Sequence, residues 1–372
     1  MTNARAALRR FWLNVHLWLG ISLAILTVPI AVSGALLVFH DDLDEILNPV
    51  RYAVTDAATQ PASAYFDAAR GALGPGLAPS VVRFPADDGG PVVVSARGRT
   101  ADGRMQVFNV YLDPPTGRVL DVVDFRASLF GFLHVFHENL TIPQYSGRAI
   151  VGWVGVAMLI SSLSGIYLWW PRGRFRRGLR WQRTDSTNAN LHYLLGFWIS
   201  LPLAVVSATG IYLGFPQQGR ELLSSLAPVS PRPAFGAPAR QTALTADAAL
   251  AKALEGETGA VPVALFAATA PQGTAPTWRV QYRSADAELR TVLVNDRSGA
   301  VERVTPLKGD RIAQWIRWIH EGSHSGPVWK AVVFLCGVFP PIFAFTGVVM
   351  WWRRSSVKRM RRQAAAKLRP AE

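Results

Sequence analysis

The sequence contains a single cysteine, Cys336, among its 372 residues. One cysteine excludes internal disulfide bonds and any metal site built from several thiolates. The sequence also lacks a glycine-rich dinucleotide motif and a flavin domain, so it has no evident site for those electron donors. Acidic residues are few, since 25 Asp and Glu stand against 39 Lys and Arg, and the formal net charge is +14.

Long apolar runs dominate what is present. Four of them can each cross a hydrocarbon core of about 30 Å, because a helix rises about 1.5 Å per residue. The predicted membrane-spanning helices are residues 11–40, 148–170, 191–215 and 328–352. The first run follows Arg9 and Arg10 as a signal peptide would, but its length of about 30 residues favours a retained anchor.

The positive charges indicate the topology. They are concentrated before the first run, in the loop 171–190 and in the tail 353–372. With four spans these segments all lie on one side, and the positive-inside rule makes that side the cytoplasm. We therefore expect a multi-pass protein of the bacterial inner membrane with both termini in the cytoplasm. The basic residues face the lipid bilayer boundary, and no nucleic-acid partner is predicted.

The chain also matches itself. Two dipeptides near span ends recur at an offset of 182 residues, and a third recurs at an offset of 176. The matches are Ser164-Gly165 with Thr346-Gly347, Trp169-Trp170 with Trp351-Trp352, and Ser33-Gly34 with Thr209-Gly210. This self-similarity predicts a membrane protein whose four transmembrane helices come from two tandem repeats.

Each repeat places a small α+β module outside the membrane. A module begins with an alanine-rich helix and continues with three alternating strands around a turn, Asp113-Pro-Pro-Thr-Gly117 in the first and Asn295-Asp-Arg-Ser-Gly299 in the second. The predicted modules are residues 41–125 and 216–309. The predicted amphipathic helices at the outer surface are residues 126–147 and 310–327.

All seven histidines lie at or near a predicted membrane boundary. A hydrogen-bonded interfacial histidine is the ordinary interpretation of any one of them, but ionisable groups at membrane depth are usually functional. His16 and His192 are related by the duplication, and each precedes by four residues a glycine that leaves room for a flat group. A haem with two histidine ligands needs them from different segments, so we predict that His16 and His192 form one such pair.

A second haem is expected on the outer side. His137 and His320 are related by the duplication, and His40 is a third candidate, so two of these three are predicted to be ligands. His16 and His40 are 24 residues apart, about 36 Å along a helix, and therefore cannot serve one centre. His320 and His324 also have the spacing of a helical metal site, although that signal is weak on its own.

Several longer motifs point to a known family. They are His16-Leu-Trp-Leu-Gly20, Phe39-His-Asp-Asp-Leu-Asp44, the Asp113 turn, His137-Glu-Asn-Leu140, Ser164-Gly-Ile-Tyr-Leu-Trp-Trp-Pro171, His320-Glu-Gly322 and Thr346-Gly-Val-Val-Met-Trp-Trp352. Across nearly the whole chain the sequence resembles the bacterial PepSY-associated transmembrane family, which includes inner-membrane ferric-siderophore reductases. The resemblance implies periplasmic PepSY modules, haem b on membrane histidines, and iron release from ferric chelates by reduction.

The leading hypothesis is a dihaem protein that reduces a periplasmic ferric siderophore. Its electrons would come from a quinol or a cytoplasmic reductase, and siderophore uptake components are candidate partners. Two alternatives stay open. One is a non-enzymatic PepSY scaffold or accessory protein of a transporter, and the other is a haem reductase that serves a different periplasmic acceptor.

Overall fold

A computed structural model describes residues 3–74, 76–85, 89–99, 105–170, 184, 186–231, 238–239, 241–270 and 274–367. Most of the predicted loop 171–190 lies outside these residues. The chain divides into two units. The helical unit comprises Met1–Phe39, Leu133–Pro228 and Lys308–Glu372, and the sheet unit comprises His40–Phe132 and Val229–Leu307.

The regular elements follow one another in this order. The α-helices are α1 (Asn3–Ser22), α2 (Ala24–Val38), α3 (His40–Leu47), α4 (Ala62–Ala72), α5 (Leu129–Asn139), α6 (Gly147–Trp169), α7 (Thr187–Gly214), α8 (Pro216–Leu226), α9 (Ala246–Leu254), α10 (Lys308–Glu321) and α11 (Gly326–Lys367). The strands are β1 (Ala78–Arg83), β2 (Val92–Arg99), β3 (Met105–Leu112), β4 (Val119–Asp124), β5 (Val261–Thr269), β6 (Thr277–Arg283), β7 (Leu289–Asn295) and β8 (Val301–Val304). Short 3₁₀ turns occur at Pro49–Tyr52 and Pro143–Tyr145.

Among the described residues of the helical unit, three helices are long and apolar enough to cross a membrane, namely α6, α7 and the Gly326–Val357 part of α11. The bent pair α1 and α2 makes a fourth span if the two are counted together. The predicted single helix over residues 11–40 is instead broken at Leu23, where the axis turns by 68°. Just before the break, the Ser22 hydroxyl donates to the Trp18 carbonyl at 2.5 Å, a contact that competes with the backbone ladder and bends helices.

Small residues allow the long helices to approach closely. A Cβ on Gly214 of α7 would lie 2.7 Å from the Cα of Gly152 on α6, and a Cβ on Gly337 of α11 would lie 2.6 Å from the Ala31 carbonyl of α2. Such glycine contacts are typical of helix packing in membranes, where close backbone approach replaces the hydrophobic driving force. The glycines therefore fix which helix faces meet.

The sheet unit contains one antiparallel sheet of eight strands in the order β4-β3-β2-β1-β5-β6-β7-β8. Its central strands β1 and β5 pair directly, with Val81 opposite Phe266, and so join the two predicted modules. The sequence predicted three strands in each module and missed these two. Helices α4 and α9 cover one face, and Tyr65 and Tyr282 are fully buried in the core beneath them.

Candidate functional site

The first histidine pair lies between α1 and α7. The ring centroids of His16 and His192 are 6.3 Å apart, and the ring planes are inclined at 87°. The structure thus brings together two residues that stand 176 positions apart in the sequence. We call His16 and His192 the first pair.

His16 is held by α6. Its Nδ1 lies 3.1 Å from the Ser161 carbonyl oxygen and 3.1 Å from the Ser164 hydroxyl. The next residue is Gly165, where a Cβ would lie 3.3 Å from the His16 Cε1. Because a carbonyl oxygen can only accept a hydrogen bond, we infer that the His16 Nδ1 carries the proton.

His192 is held by α11 in a similar way. Its Nδ1 lies 2.8 Å from the Thr346 hydroxyl oxygen, and that hydroxyl donates at 2.8 Å to the Ile342 carbonyl. With its own proton committed, the Thr346 oxygen accepts from the imidazole. A Cβ on the following residue, Gly347, would lie 3.9 Å from the His192 Cε1.

The second pair is His137 on α5 and His320 on α10. Their ring centroids are 6.2 Å apart, and the ring planes are inclined at 46°. The Nδ1 of His137 lies 2.9 Å from the Ile30 carbonyl oxygen and 3.2 Å from the Ser33 hydroxyl. A Cβ on Gly34 would lie only 2.7 Å from its Cε1.

His320 repeats this arrangement on α7. Its Nδ1 lies 3.0 Å from the Val206 carbonyl oxygen and 3.2 Å from the Thr209 hydroxyl, while a Cβ on Gly210 would lie 2.9 Å from its Cε1. Each of the four histidines therefore packs on a Ser-Gly or Thr-Gly dipeptide of a long helix. We call this dipeptide, together with the backbone carbonyl that faces the ring where there is one, the seat of that histidine. In three of the seats the carbonyl comes three residues before the hydroxyl, so one helix face presents carbonyl, hydroxyl and glycine together.

The repeated dipeptides were visible in the sequence, but their role was not. Ser164-Gly165 and Thr346-Gly347 stood out as marks of duplication, whereas the structure shows that they receive histidine side chains. A signal in the sequence could have revealed this role. Four Ser-Gly or Thr-Gly dipeptides in the apolar runs correspond in number to the four histidines His16, His137, His192 and His320. In the described part of the chain, the hydrogen bonds of the four rings all go to Nδ1, so their Nε2 atoms remain available as ligands.

The spacing within each pair fits one metal ion between two imidazoles. A metal lies about 2.0 Å from an imidazole nitrogen, and that nitrogen lies about 1.15 Å from its ring centre, so two coaxial ligands place their centroids about 6.3 Å apart. The observed 6.3 and 6.2 Å agree with that value. A hydrogen bond from the other ring nitrogen is the usual partner of a metal-ligating histidine.

A cavity of about 980 Å³ opens beside the first pair. Its volume is at the upper end of the range for ligand pockets, about 300–1,000 Å³. Gly20 and Gly196 line it, and a Cβ on either would meet no atom within 4 Å, so these glycines leave the space beside the rings open. Arg9, Arg353 and Arg354 also line the cavity and would suit acidic groups on a bound molecule.

A family model described as the PepSY-associated TM region matches residues 13–354. The chain belongs to the PepSY-associated TM family. No curated protein gives a significant match. The predicted family membership is thereby confirmed, and with it the conclusion that this is a membrane protein.

The remaining histidines of this PepSY-associated TM protein stand in different surroundings. His40 begins α3 and is about half exposed, with its Nε2 3.0 Å from an Asp41 carboxylate oxygen. His324 has a left-handed backbone (φ 64°) and stacks on Trp318 at 3.8 Å. No group of three or more His, Cys, Asp or Glu side chains suited to a metal is found among the described residues, so the spacing of His320 and His324 does not build such a site.

The two PepSY turns each bury a carboxylate. Asp113 is 1% exposed and accepts hydrogen bonds from the Thr55 amide and hydroxyl at 2.8 and 3.0 Å. Asp296, one position later in its turn, is 2% exposed and accepts from the Ala243 and Leu244 amides. Burial raises the pKa of both carboxyls, but their hydrogen bonds, which include those from the Thr116 hydroxyl to Asp113 and from the Trp278 indole to Asp296, outweigh it, so the pKa of each is lowered. Asp296, although one position later in its turn, therefore accepts backbone hydrogen bonds from the preceding segment as Asp113 does.

The motif after the first span is also structural. Asp44 is mostly buried and accepts hydrogen bonds from Arg51 at 2.6 Å, Asn48 at 2.9 Å and Tyr52 at 3.0 Å. Arg51 in turn pairs with Asp121 on β4 at 2.8 Å. These contacts tie the segment that follows His40 to the edge of the sheet and give Asp44, the last residue of the Phe39-His-Asp-Asp-Leu-Asp44 motif, a structural role.

Proposed function

We propose that this protein is a dihaem b electron-transfer protein of the bacterial inner membrane that reduces ferric siderophores on the periplasmic side. The observation that carries the proposal is the pair of centroid separations, 6.3 and 6.2 Å, in two histidine pairs whose Nδ1 atoms are already hydrogen-bonded. Haem iron with two histidine ligands exchanges single electrons, which is the chemistry that reduction of ferric iron requires.

The protein's own residues would do three things at these sites. The first pair and the second pair would hold one haem each through Nε2. The seats would fix the imidazole tautomer and orientation, because each Nδ1 is committed to α6, α11, α2 or α7. The apolar helices around them would keep water away from the redox centres.

Helix α7 contributes to both proposed haem sites and so gives the distance between them along its axis. It carries His192 of the first pair and, seventeen residues later, the Thr209 seat of the second. At about 1.5 Å per residue this separation is about 26 Å, close to the thickness of the hydrocarbon core. Such a placement supports electron transfer from one membrane face to the other. The donor would be a quinol or a cytoplasmic reductase.

Haem content tests the proposal directly. Protein purified from haem-replete cells should show a reduced α band of the b type and about two haems per chain, and the band should bleach when a ferric siderophore is added without oxygen. His134→Ala is the matched control, since His134 is exposed on the same helix as His137 and lies outside both pairs. A colourless protein would refute the proposal and favour the non-enzymatic scaffold. Haem that stays reduced with ferric chelates would instead favour a different periplasmic acceptor.

A further inference from the structure

The sheet has a second face that α4 and α9 do not cover. Side chains alternate along a strand, so residues next to core positions point to this open face. Val82, Val94 and Val280 belong to the core, so residues that flank them along the strands, among them Arg83, Ser95 and Arg279, point to the open face. The six that matter are Arg83, Ser95, Arg97, Asn109, Phe266 and Arg279.

Strand register brings these side chains to the middle of the sheet. Val81 is opposite Ser95 on one side and opposite Phe266 on the other. Phe266 is in turn opposite Arg279. The group therefore straddles the central β1–β5 pair, with contributions from both predicted modules.

The three arginines have no carboxylate partner among the described residues. Arg83 donates to the Ser95 hydroxyl at 2.7 Å, and Ser95 donates to Asn109 at 2.6 Å. The guanidinium of Arg279 stacks on the Phe266 ring at 3.6 Å, and its buried Nε has no hydrogen-bond partner in the described structure. This Nε is a buried donor whose partner would be an acceptor outside the described residues.

The positive charges of the three arginines act on one another. Burial lowers the pKa of both Arg83 and Arg279, and the positive charge of Arg97 lowers both further. The acidic residues that the structure describes on this face lie near its edges, where Asp121 is already paired with Arg51 and Glu302 is exposed on β8. Within the part of the chain that the structure describes, the middle of the face is therefore a positive patch without a paired carboxylate.

Other arginines of the sheet unit contrast with this trio. Arg51 pairs with Asp44, and Arg290 and Arg303 both pair with Glu257. Keeping three guanidinium groups together without acids costs free energy, through mutual repulsion and partial desolvation. An anion bound among them would offset that cost with charge-assisted hydrogen bonds.

We propose that the open face of the sheet binds an anionic, oxygen-rich iron chelate. Arg83, Arg97 and Arg279 would bind its negative oxygens, and the stacked Phe266 and Arg279 would present a flat surface to its planar groups. This assignment rests on the proposed function and narrows its substrate class to chelates of net negative charge, such as catecholates, in preference to neutral or cationic hydroxamates.

Two gallium complexes test the assignment without electron transfer, because gallium(III) is not reduced under these conditions. Gallium tris-catecholate is a trianion, and gallium tris-acetohydroxamate is neutral with the same six-oxygen shell. In calorimetric titrations of the full-length protein in detergent, we expect the trianion to bind at least about tenfold more tightly. That preference should shrink as salt is added, because ions screen exposed charges.

Arg83→Gln and Arg279→Gln should each weaken trianion binding by roughly tenfold and leave the neutral complex unaffected. Arg70→Gln is the matched control, since Arg70 is exposed on α4, which packs on the opposite face, and the variant loses the same charge. Equal binding of the two complexes by the wild-type protein, or an equal loss in Arg70→Gln, would overturn the inference. The salt titration of the wild-type protein remains decisive if a variant fails to fold.

Haem is measured in the same samples, so the two proposals can fail separately. A protein with two haems and no preference for the trianion would keep the proposed function and lose the anion site. A protein without haem that prefers the trianion would keep the anion site and lose the reductase.

Discussion

The first pair, His16 and His192, faces a cavity of about 980 Å³, whereas the second pair, His137 and His320, is seated tightly against glycines. Both pairs tie Nδ1 to a long helix and keep nearly the same centroid separation, yet their ring planes differ, at 87° and 46°. This difference in surroundings leaves the spacing of the rings nearly unchanged. It also predicts that the two pairs respond differently to the same kind of substitution.

The largest effect should come from breaking the pairs themselves. His16→Ala and His192→Ala should each lose one haem, and the double variant should lose no more than either single variant, because both ligands serve one centre. His16→Ala combined with His320→Ala should lose both haems. Haem counting per chain with absorption spectra measures this, and a double His16/His192 variant without haem would contradict the pairing.

The next largest effect should come from alanine at the seat glycines, which should reduce haem content more at the second pair than at the first. A methyl group at Gly34 or Gly210 would lie 2.7 or 2.9 Å from a histidine carbon, so these variants should lose roughly half or more of the second haem. At Gly165 and Gly347 the distances are 3.3 and 3.9 Å, and the first haem should largely remain. Haem content measures both, and equal losses at the two centres would show that the seats are equally tight.

Loss of a seat hydroxyl should reduce haem binding less than the glycine substitutions do. Here the first pair should be affected more than the second. Thr346 supplies the hydrogen bond to the His192 Nδ1, whereas His320 would keep the Val206 carbonyl if Thr209 lost its hydroxyl. Thr346→Val should therefore weaken haem retention by about tenfold, within the range usual for such partners, and Thr209→Val should have little effect. Haem transfer to an apo-globin and potentiometric titration measure the difference. A shift in reduction potential only in Thr209→Val would be inconsistent with these seats.

The smallest effect on either pair should come from acid acting on the sheet unit. The lowered pKa values of Asp113 and Asp296 mean that the unfolded chain binds protons more readily at these carboxyls than the folded chain does. Their stabilisation is thus complete above about pH 4 and is lost as the pH falls through the folded pKa values. Thermal unfolding followed against pH should show this loss, and Asp113→Asn with Asp296→Asn should reduce it while both haems stay bound.

Much of the helical unit could be predicted from the sequence, because a membrane demands long apolar helices and because short motifs recur at offsets of 176 and 182 residues. The break at Leu23 could not, since residues such as Gly20 and Ser22 are common in continuous spans. The pairing of His16 with His192 followed from the duplication. The choice among three outer candidates did not, because it depends on which side chains reach a seat.

The sheet was harder to predict at its centre than at its edges. Strands β3 and β4, and likewise β6, β7 and β8, are joined by local turns, such as the one at Asp113, that can be recognised in sequence. Strands β1 and β5 pair with each other across about 180 residues, and a proline or an alanine-rich stretch weakens their strand pattern. Their conformation depends on pairing with β2 and β6 and on packing against α4 and α9.

Each histidine pair is shared between the two halves of the chain. His16 and His137 come from the first half of the chain, and His192 and His320 come from the second. Each pair therefore draws one ring from each half, and each half also supplies one of the two central strands. Neither half holds a complete pair, so a single half of the chain could regain the pairs only by associating with another half.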